Sequence, residues 1–427
     1  MQERWVLLRR VNEYEPTQLR SVVDEGFGLL QKKPHGKVLI KPNCVVANQR
    51  YSNFAYTNPE LMGTVVDAVR TFGISDLAIG ESGGYAVPTR MFFKESGFYA
   101  MGRARGVPIV DFNEERYVKT DLKKAKFHKT MLVPRLIHDA DFKIWMPKLK
   151  YHICCEITNS LKLNIGSLLH KERMLYHDDR LNEKIVDILE IGYPNLIVTD
   201  AVIIGHGFES CAKPFHLGLI MVSNDPIASD VVAAQILGYR PDQVKHLRIA
   251  SERGYGSIDP ASVEVLGDLS IAELAAKTKG IVSEFQDIQK LDTPIRFYEG
   301  LGPNTGQICY GGCMAAVKGC LGVVDARRPG SMKRAKEGAI VTGIYEGNVD
   351  AGNGTALLIG DCTEVKGTLK AHKVRRVKGC PIGAFQLMGV LPLTFGMPSP
   401  LFDLRDDWNM ATNMTAKIWH KTINRAF

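Results

Sequence analysis

A chain of 427 residues with 45% hydrophobic content is long enough for two or three domains, each with its own core. Its formal charge of +8 is spread among interspersed acidic residues, without the basic-aromatic alternation that stacks bases, so nucleic acid is not expected and an anionic small molecule suits the surplus. No stretch approaches the roughly 20 apolar residues of a membrane span, Met1 to Pro16 lacks a secretory core, and nine cysteines, an odd number gathered mostly late in the chain, point to a reducing cytoplasm over a disulfide framework.

From Lys37 to Gly238, short apolar runs alternate with amphipathic helical patterns, the mark of an α/β domain built on a parallel sheet. The expected strands are 37–41, 76–80, 142–146, 196–200 and 217–222, apolar throughout as buried parallel strands are. Helices are expected over Glu60 to Phe72 and Ile227 to Leu237. Ligands collect at the carboxyl ends of such strands, and polar groups recur there: Lys41-Pro42-Asn43, Glu81-Ser82-Gly83-Gly84, Lys148-Leu149-Lys150-Tyr151-His152, Asp200, and Asn224-Asp225-Pro226.

These residue types suit an anionic substrate. Lys41, Lys148 and Lys150 offer cations, and Ser82 with its glycines offers backbone amides. Lys148 and Lys150 repel each other after a buried strand unless an anion joins them. His152, alone or with His170, His177 or His206, is placed to move a proton. Lys162 and Asn164 lie in a polar segment, 158–170, that reads as a binding segment or lid. Asn43, Asp200 and Asp225 complete the candidate binding set, although Asp225 and Asp230 equally suit helix capping. Cys154 and Cys155 read as buried packing.

A short strand at 262–266, a charged helix and a break at 290–294 mark the expected boundary, giving domains 1–290 and 295–427. The second unit is a smaller α/β fold with strands at 339–343, 355–360 and 374–378. A helix is expected from Trp408 to Phe427. Four cysteines stand in turns of this unit: Cys309 and Cys313 on one tight loop, Cys362 after Gly360-Asp361, and Cys380 between Gly379 and Pro381. Small residues let the backbone approach an inorganic core, thiolates are the usual iron-sulfur ligands, and Cys-Pro recurs in ferredoxin-type runs. Zinc and inert burial are the alternatives, but structural zinc sites usually pair short knuckles and only one such pair exists here. Cys320 stands as a fifth candidate on the same segment.

The Lys41-Pro42-Asn43 turn, the 147–152 run, the 159–166 stretch, Asp200-Ala201 and Asn224-Asp225-Pro226 with Asp230 resemble the domain of unknown function 362 family over Lys37 to Tyr239. The resemblance implies a redox or metal-linked role, since members are often joined to iron-sulfur segments. The tandem ferredoxin insert with CxxC repeats that many members carry is missing here, so a two-cluster relay is not implied. The C-terminal pattern is faintly similar to the small domain of nickel-pincer lactate racemases, and its Gly-Cys-Pro to hydrogenase small subunits.

The resulting expectation is an oxidoreductase with one [4Fe-4S] cluster on Cys309, Cys313, Cys362 and Cys380, set in a cleft beside the lysines and supplied by a donor such as ferredoxin. A hydro-lyase or isomerase with an open iron, and a non-catalytic electron carrier or cofactor-assembly protein, are the competing readings.

Overall fold

The computed structural model describes residues 4–84, 87–281, 283 and 285–426. Val38–Pro42, Leu77–Glu81 and Phe142–Met146 are buried along almost their whole length, as strands covered on both faces must be. They pair in parallel, in the order Ile109–Asp111, Leu77–Glu81, Val38–Pro42, Phe142–Met146, Leu196–His206. Helices Pro59–Arg70 and Pro226–Ile236 begin where Asn58 and Asp225 accept backbone N–H groups of the first turn. Each has Pro at its start, where the missing N–H would have had no helical partner. The α/β reading with a large, mostly parallel sheet therefore holds.

Two strands depart from it: the short Glu156–Thr158, antiparallel to Lys148–His152, and a longer one. Lys213–Ser223 runs antiparallel to both Leu196–His206 and Trp5–Arg10, because the link 207–212 is too short for a crossover of about a dozen residues and permits only a hairpin. The chain therefore leaves this strand toward the end of the sheet where the parallel strands begin. Asp225, expected on the rim with Lys41 and Lys148, departs from that rim. The short strand ahead of the expected break, Glu264–Gly267, pairs in parallel with Trp5–Arg10 and extends the large sheet, within the expected first domain.

The chain divides into two compact units, one of Met1–Arg173, Asn182–Val282 and Thr412–Phe427, the other of Met174–Leu181 and Ser283–Ala411. The division falls earlier than the sequence break at 290–294. It also moves the tail from Thr412 onward into the larger unit, where the Lys417 charge is felt at Glu114 and His170. The tail helix spans Leu404–Ala426, with Phe427 outside the described residues.

In the smaller unit, Ile295–Glu299, Gly338–Glu346, Thr355–Lys366 and Lys373–Val377 form an all-parallel sheet. The first of these was not expected, since Arg296 and Glu299 dilute its apolar pattern. Helix Ala315–Arg327 lies between the first two strands. The later links are short and pair with each other, Val349–Asp350 on Leu369–Lys370, so two turns of chain stack as coils. Ala339 and Val341 on one strand and Ala356 and Leu358 on the next supply its core at the period of two that a strand imposes. Among the described residues no helix is long and apolar enough to cross a membrane.

Candidate metal centre

Cys362 reaches its place through a bulge. Thr342 pairs with Ile359 and Ile344 with Glu364, so Gly343 alone faces the four residues Gly360 to Thr363. The extra residues leave the ladder and carry Cys362 out of the sheet. Gly360 and Gly343 have φ of +109° and +66°, a region that a side chain strains. Cys362 was expected just past its strand and instead stands in this interruption within it. Cys380 does follow its strand, and the bulge holds its loop: the Gly379 N–H donates to Asp361 Oδ1 at 2.9 Å. Cys309 and Cys313 flank the turn that opens helix Ala315–Arg327.

These four cysteines line one concavity, with Asp178, Asn304 and Asp361 among its other walls. Its empty volume, open solvent included, is about 360 Å³. Among the described residues, no three His, Cys, Asp or Glu side chains gather tightly enough to clasp a single metal ion. The four cysteines share only the wider concavity.

The donor set suits an iron-sulfur cluster in three respects. It is all thiolate. Its glycines stand where a side chain would strike sulfur: a Cβ on Gly312 would lie 2.6 Å from Cys309 Sγ, and one on Gly360 would lie 2.7 Å from Cys313 Sγ. Backbone N–H groups also address the sulfurs, those of Gly312 and Cys313 at Cys309 and that of Ile382 at Cys313. Burial pushes the Cys309 and Cys313 thiols up to about 12, and raises Cys362 and Cys380 as well. A metal that takes them must displace their protons. Cys309 and Cys313 are buried, Cys362 is half-buried and Cys380 is exposed. Cys320 lies apart, fully buried, with its Sγ 4.0 Å from the Leu387 carbonyl.

In the larger unit the structure pairs the candidate cations internally. Lys41 Nζ donates to Glu81 Oε2 at 2.8 Å, and both side chains are almost wholly buried. Burial pulls the Lys41 ammonium down and pushes the Glu81 carboxyl up, against their mutual attraction. Lys148 Nζ lies 3.0 Å from Asp200 Oδ2 and donates to Tyr14 Oη, which in turn donates to Asp200 Oδ1 at 2.8 Å. The anion that the lysine pair seemed to require is thus supplied by the protein itself. Ser82 is similarly engaged: its N–H donates to Glu81 Oε1 and Gly166 O, and its Oγ accepts from Asn113 and Arg173.

Lys150 differs, because its three acceptors are neutral. Its Nζ donates to Asn43 Oδ1 at 3.2 Å, Ala55 O at 2.7 Å and Glu209 O at 3.2 Å. Desolvation lowers its pKa to about 7, with the Glu209 charge opposing. Between pH 7 and the ordinary lysine range, the unfolded chain therefore binds the extra proton and stability rises with pH. In urea unfolding, the stability difference between wild type and Lys150→Met should change across that interval with a slope approaching about 1.4 kcal/mol per pH unit. Parallel pH profiles would show that Lys150 does not titrate there.

His152 Nδ1 accepts the Cys154 N–H at 3.0 Å, which leaves the proton on Nε2, 3.6 Å from Glu209 Oε1. In this tautomer it presents a donor. Lys162 is half-buried and its charge reaches Lys150. Asn164 Oδ1 accepts from Trp145 Nε1 at 2.9 Å, a packing role. Asp225 caps its helix at Ala228 and pairs with Arg4 at 3.1 Å. Sequence reading missed Glu81 and Glu209 as partners for the lysines, and Asp178 as a wall of the cysteine concavity. Glu81 ends a strand beside that of Lys41, a visible signal; Asp178, remote from every cysteine in sequence, carried none.

Residues 38–235 match the family model described as Domain of unknown function (DUF362). This bears out the likeness seen in the Lys41-Pro42-Asn43 turn and its companions. The DUF362 segment holds Lys41, Lys148, Asp200 and Asp178, and the four cysteines lie beyond it. The chain is also similar to a thylakoid-associated protein of Synechocystis sp., at 27% identity over 245 residues, covering 56% of this chain and 73% of that one. Among solved structures, the lactate racemase apoprotein from Thermoanaerobacterium thermosaccharolyticum aligns at a TM-score of 0.36 with 9% identity, over 80% of this chain and 70% of that one. A Thermotoga maritima protein aligns at 0.36 with 11% identity, over 78% and 71%. Likeness at this level carries no inference about the present chain's chemistry.

Proposed function

We propose that this chain is an iron-sulfur oxidoreductase in which Cys309, Cys313, Cys362 and Cys380 hold one [4Fe-4S] cluster. The observation that carries the reading is their convergence, from three separate segments, on one glycine-walled concavity. Such a cluster supplies one-electron transfer when bound. The chain's own contribution is to hold the thiolates, to place amides on the sulfurs, and to bury two of the four ligands from water.

An anionic small molecule remains the proposed substrate class, with a ferredoxin-like donor. Lys41 and Lys148 would meet such an anion only by exchanging it for Glu81 or Asp200, and this internal pairing favours a second reading as an electron carrier. The exposure of Cys380 favours a third, in which that position is open and an iron acts as a Lewis acid. A reducing cytoplasm remains the proposed location, and the thylakoid association of the Synechocystis relative suits a donor held at a membrane.

Dithionite titration of anaerobically purified protein tests the proposal. Brown protein that bleaches on reduction and gives a paramagnetic signal supports it. Colourless protein with stoichiometric zinc contradicts it. A carrier would pass its electron on without turning over any small anion, whereas an open iron would change its spectrum with substrate and no reductant.

A further inference from the structure

One wall of the concavity comes from a distant part of the chain. Met174–Leu181 belongs to the cysteine-bearing unit, although the residues on either side of it belong to the larger one. Asp179 fastens this segment: its carboxylate accepts the backbone N–H groups of Asn304 and Thr305 at 3.0 and 2.7 Å and their side chains at 2.8 and 3.0 Å. Beside it, Asp178 lines the concavity and is only 4% exposed. The cysteine turn is fitted to it, since a Cβ on Gly311 would stand 2.4 Å from the Asp178 carbonyl oxygen. Arg180 grips the Asp178 carboxylate through its backbone N–H at 2.9 Å, Nε at 3.0 Å and Nη2.

We propose that the Asp178–Arg180 pair sets the reduction potential of the cluster, an inference that rests on the iron-sulfur reading above. Reduction adds a negative charge to the centre, which a carboxylate in its wall opposes and a guanidinium favours. Asp178 is buried, so water and salt screen its charge weakly, while Arg180, with 21% of its side chain exposed, is screened more. The Asp178 charge is felt at Cys309, Cys362 and Cys380. Because the two groups act with opposite signs, single substitutions separate them.

The test is a redox titration of full-length wild type, Asp178→Asn and Arg180→Gln, each assayed for iron and sulfide. At a fixed poise, Asp178→Asn should raise the ratio of reduced to oxidised cluster about tenfold, or about 59 mV for one electron, and Arg180→Gln should lower it by a smaller factor. A purely structural role would lower cluster content in both without opposed shifts. Equal potentials in all three proteins, or shifts in the same direction, overturn this inference alone. A wild type that holds no cluster overturns the iron-sulfur reading together with it. Should Asp178→Asn lose its iron, Asp178→Glu keeps the charge in the wall: retention at the wild-type potential supports the inference, and loss of iron there as well overturns it.

Discussion

Cys313→Ser should strip the protein of its iron, and Cys320→Ser should leave the iron content unchanged. Both residues lie on the segment leading through helix Ala315–Arg327, both are buried, and burial raises both thiols. Their surroundings differ. Cys313 lines the concavity, packs against Gly360 and receives the Ile382 N–H, whereas Cys320 points at the Leu387 carbonyl of another helix. Loss of a direct ligand should exceed the roughly 10- to 100-fold fall in metal affinity typical of an outer-shell change. Cys309→Ser and Cys362→Ser should match Cys313→Ser, while Cys380→Ser, at the exposed position, decides whether the fourth thiolate is needed. Iron, inorganic sulfide and visible absorbance of the anaerobic variants measure this. Loss in Cys320→Ser with retention in Cys313→Ser would contradict the assigned ligand set.

Lys41→Met should destabilise the larger unit by about 3–5 kcal/mol, because it leaves the Glu81 carboxylate buried without its partner. Burial of both side chains excludes water as a substitute, and a Cβ on Gly166 would already lie 2.0 Å from Glu81 Oε1 and 2.8 Å from Lys41 Nζ, so the pair is closely enclosed. The double variant Lys41→Met, Glu81→Leu should recover most of the loss, since a well-packed apolar pair replaces a buried ion pair at little cost. Urea unfolding at constant m-value is the measurement. A single-variant loss below about 1 kcal/mol, the usual range of an exposed pair, would show that the site is wetter than its geometry indicates.

The parallel core was legible because Val38–Pro42, Leu77–Glu81 and Phe142–Met146 are buried on both faces and so read as unbroken apolar runs. Strand direction was not. The run at 217–222 looks like its neighbours, and only the brevity of the 207–212 link, once Lys213–Ser223 is seen to start early, forces the reversal that removes Asp225 from the rim. The cysteine set was legible from residue type and glycine context. The bulge that lifts Cys362 from its strand was not, because one Gly-Asp-Cys run can follow a strand or interrupt it. The lysines show the limit of reading charge along one chain: Lys148 and Lys150 look like an anion site until Asp200, Tyr14 and the carbonyls of Ala55 and Glu209 arrive from elsewhere.

Iron and acid-labile sulfide per chain in anaerobically purified protein test the central claim most directly. The account predicts about four of each, with zinc absent, as one [4Fe-4S] cluster requires. Protein that stays free of iron and sulfide after anaerobic reconstitution, with all four thiols still open to alkylation, would contradict it.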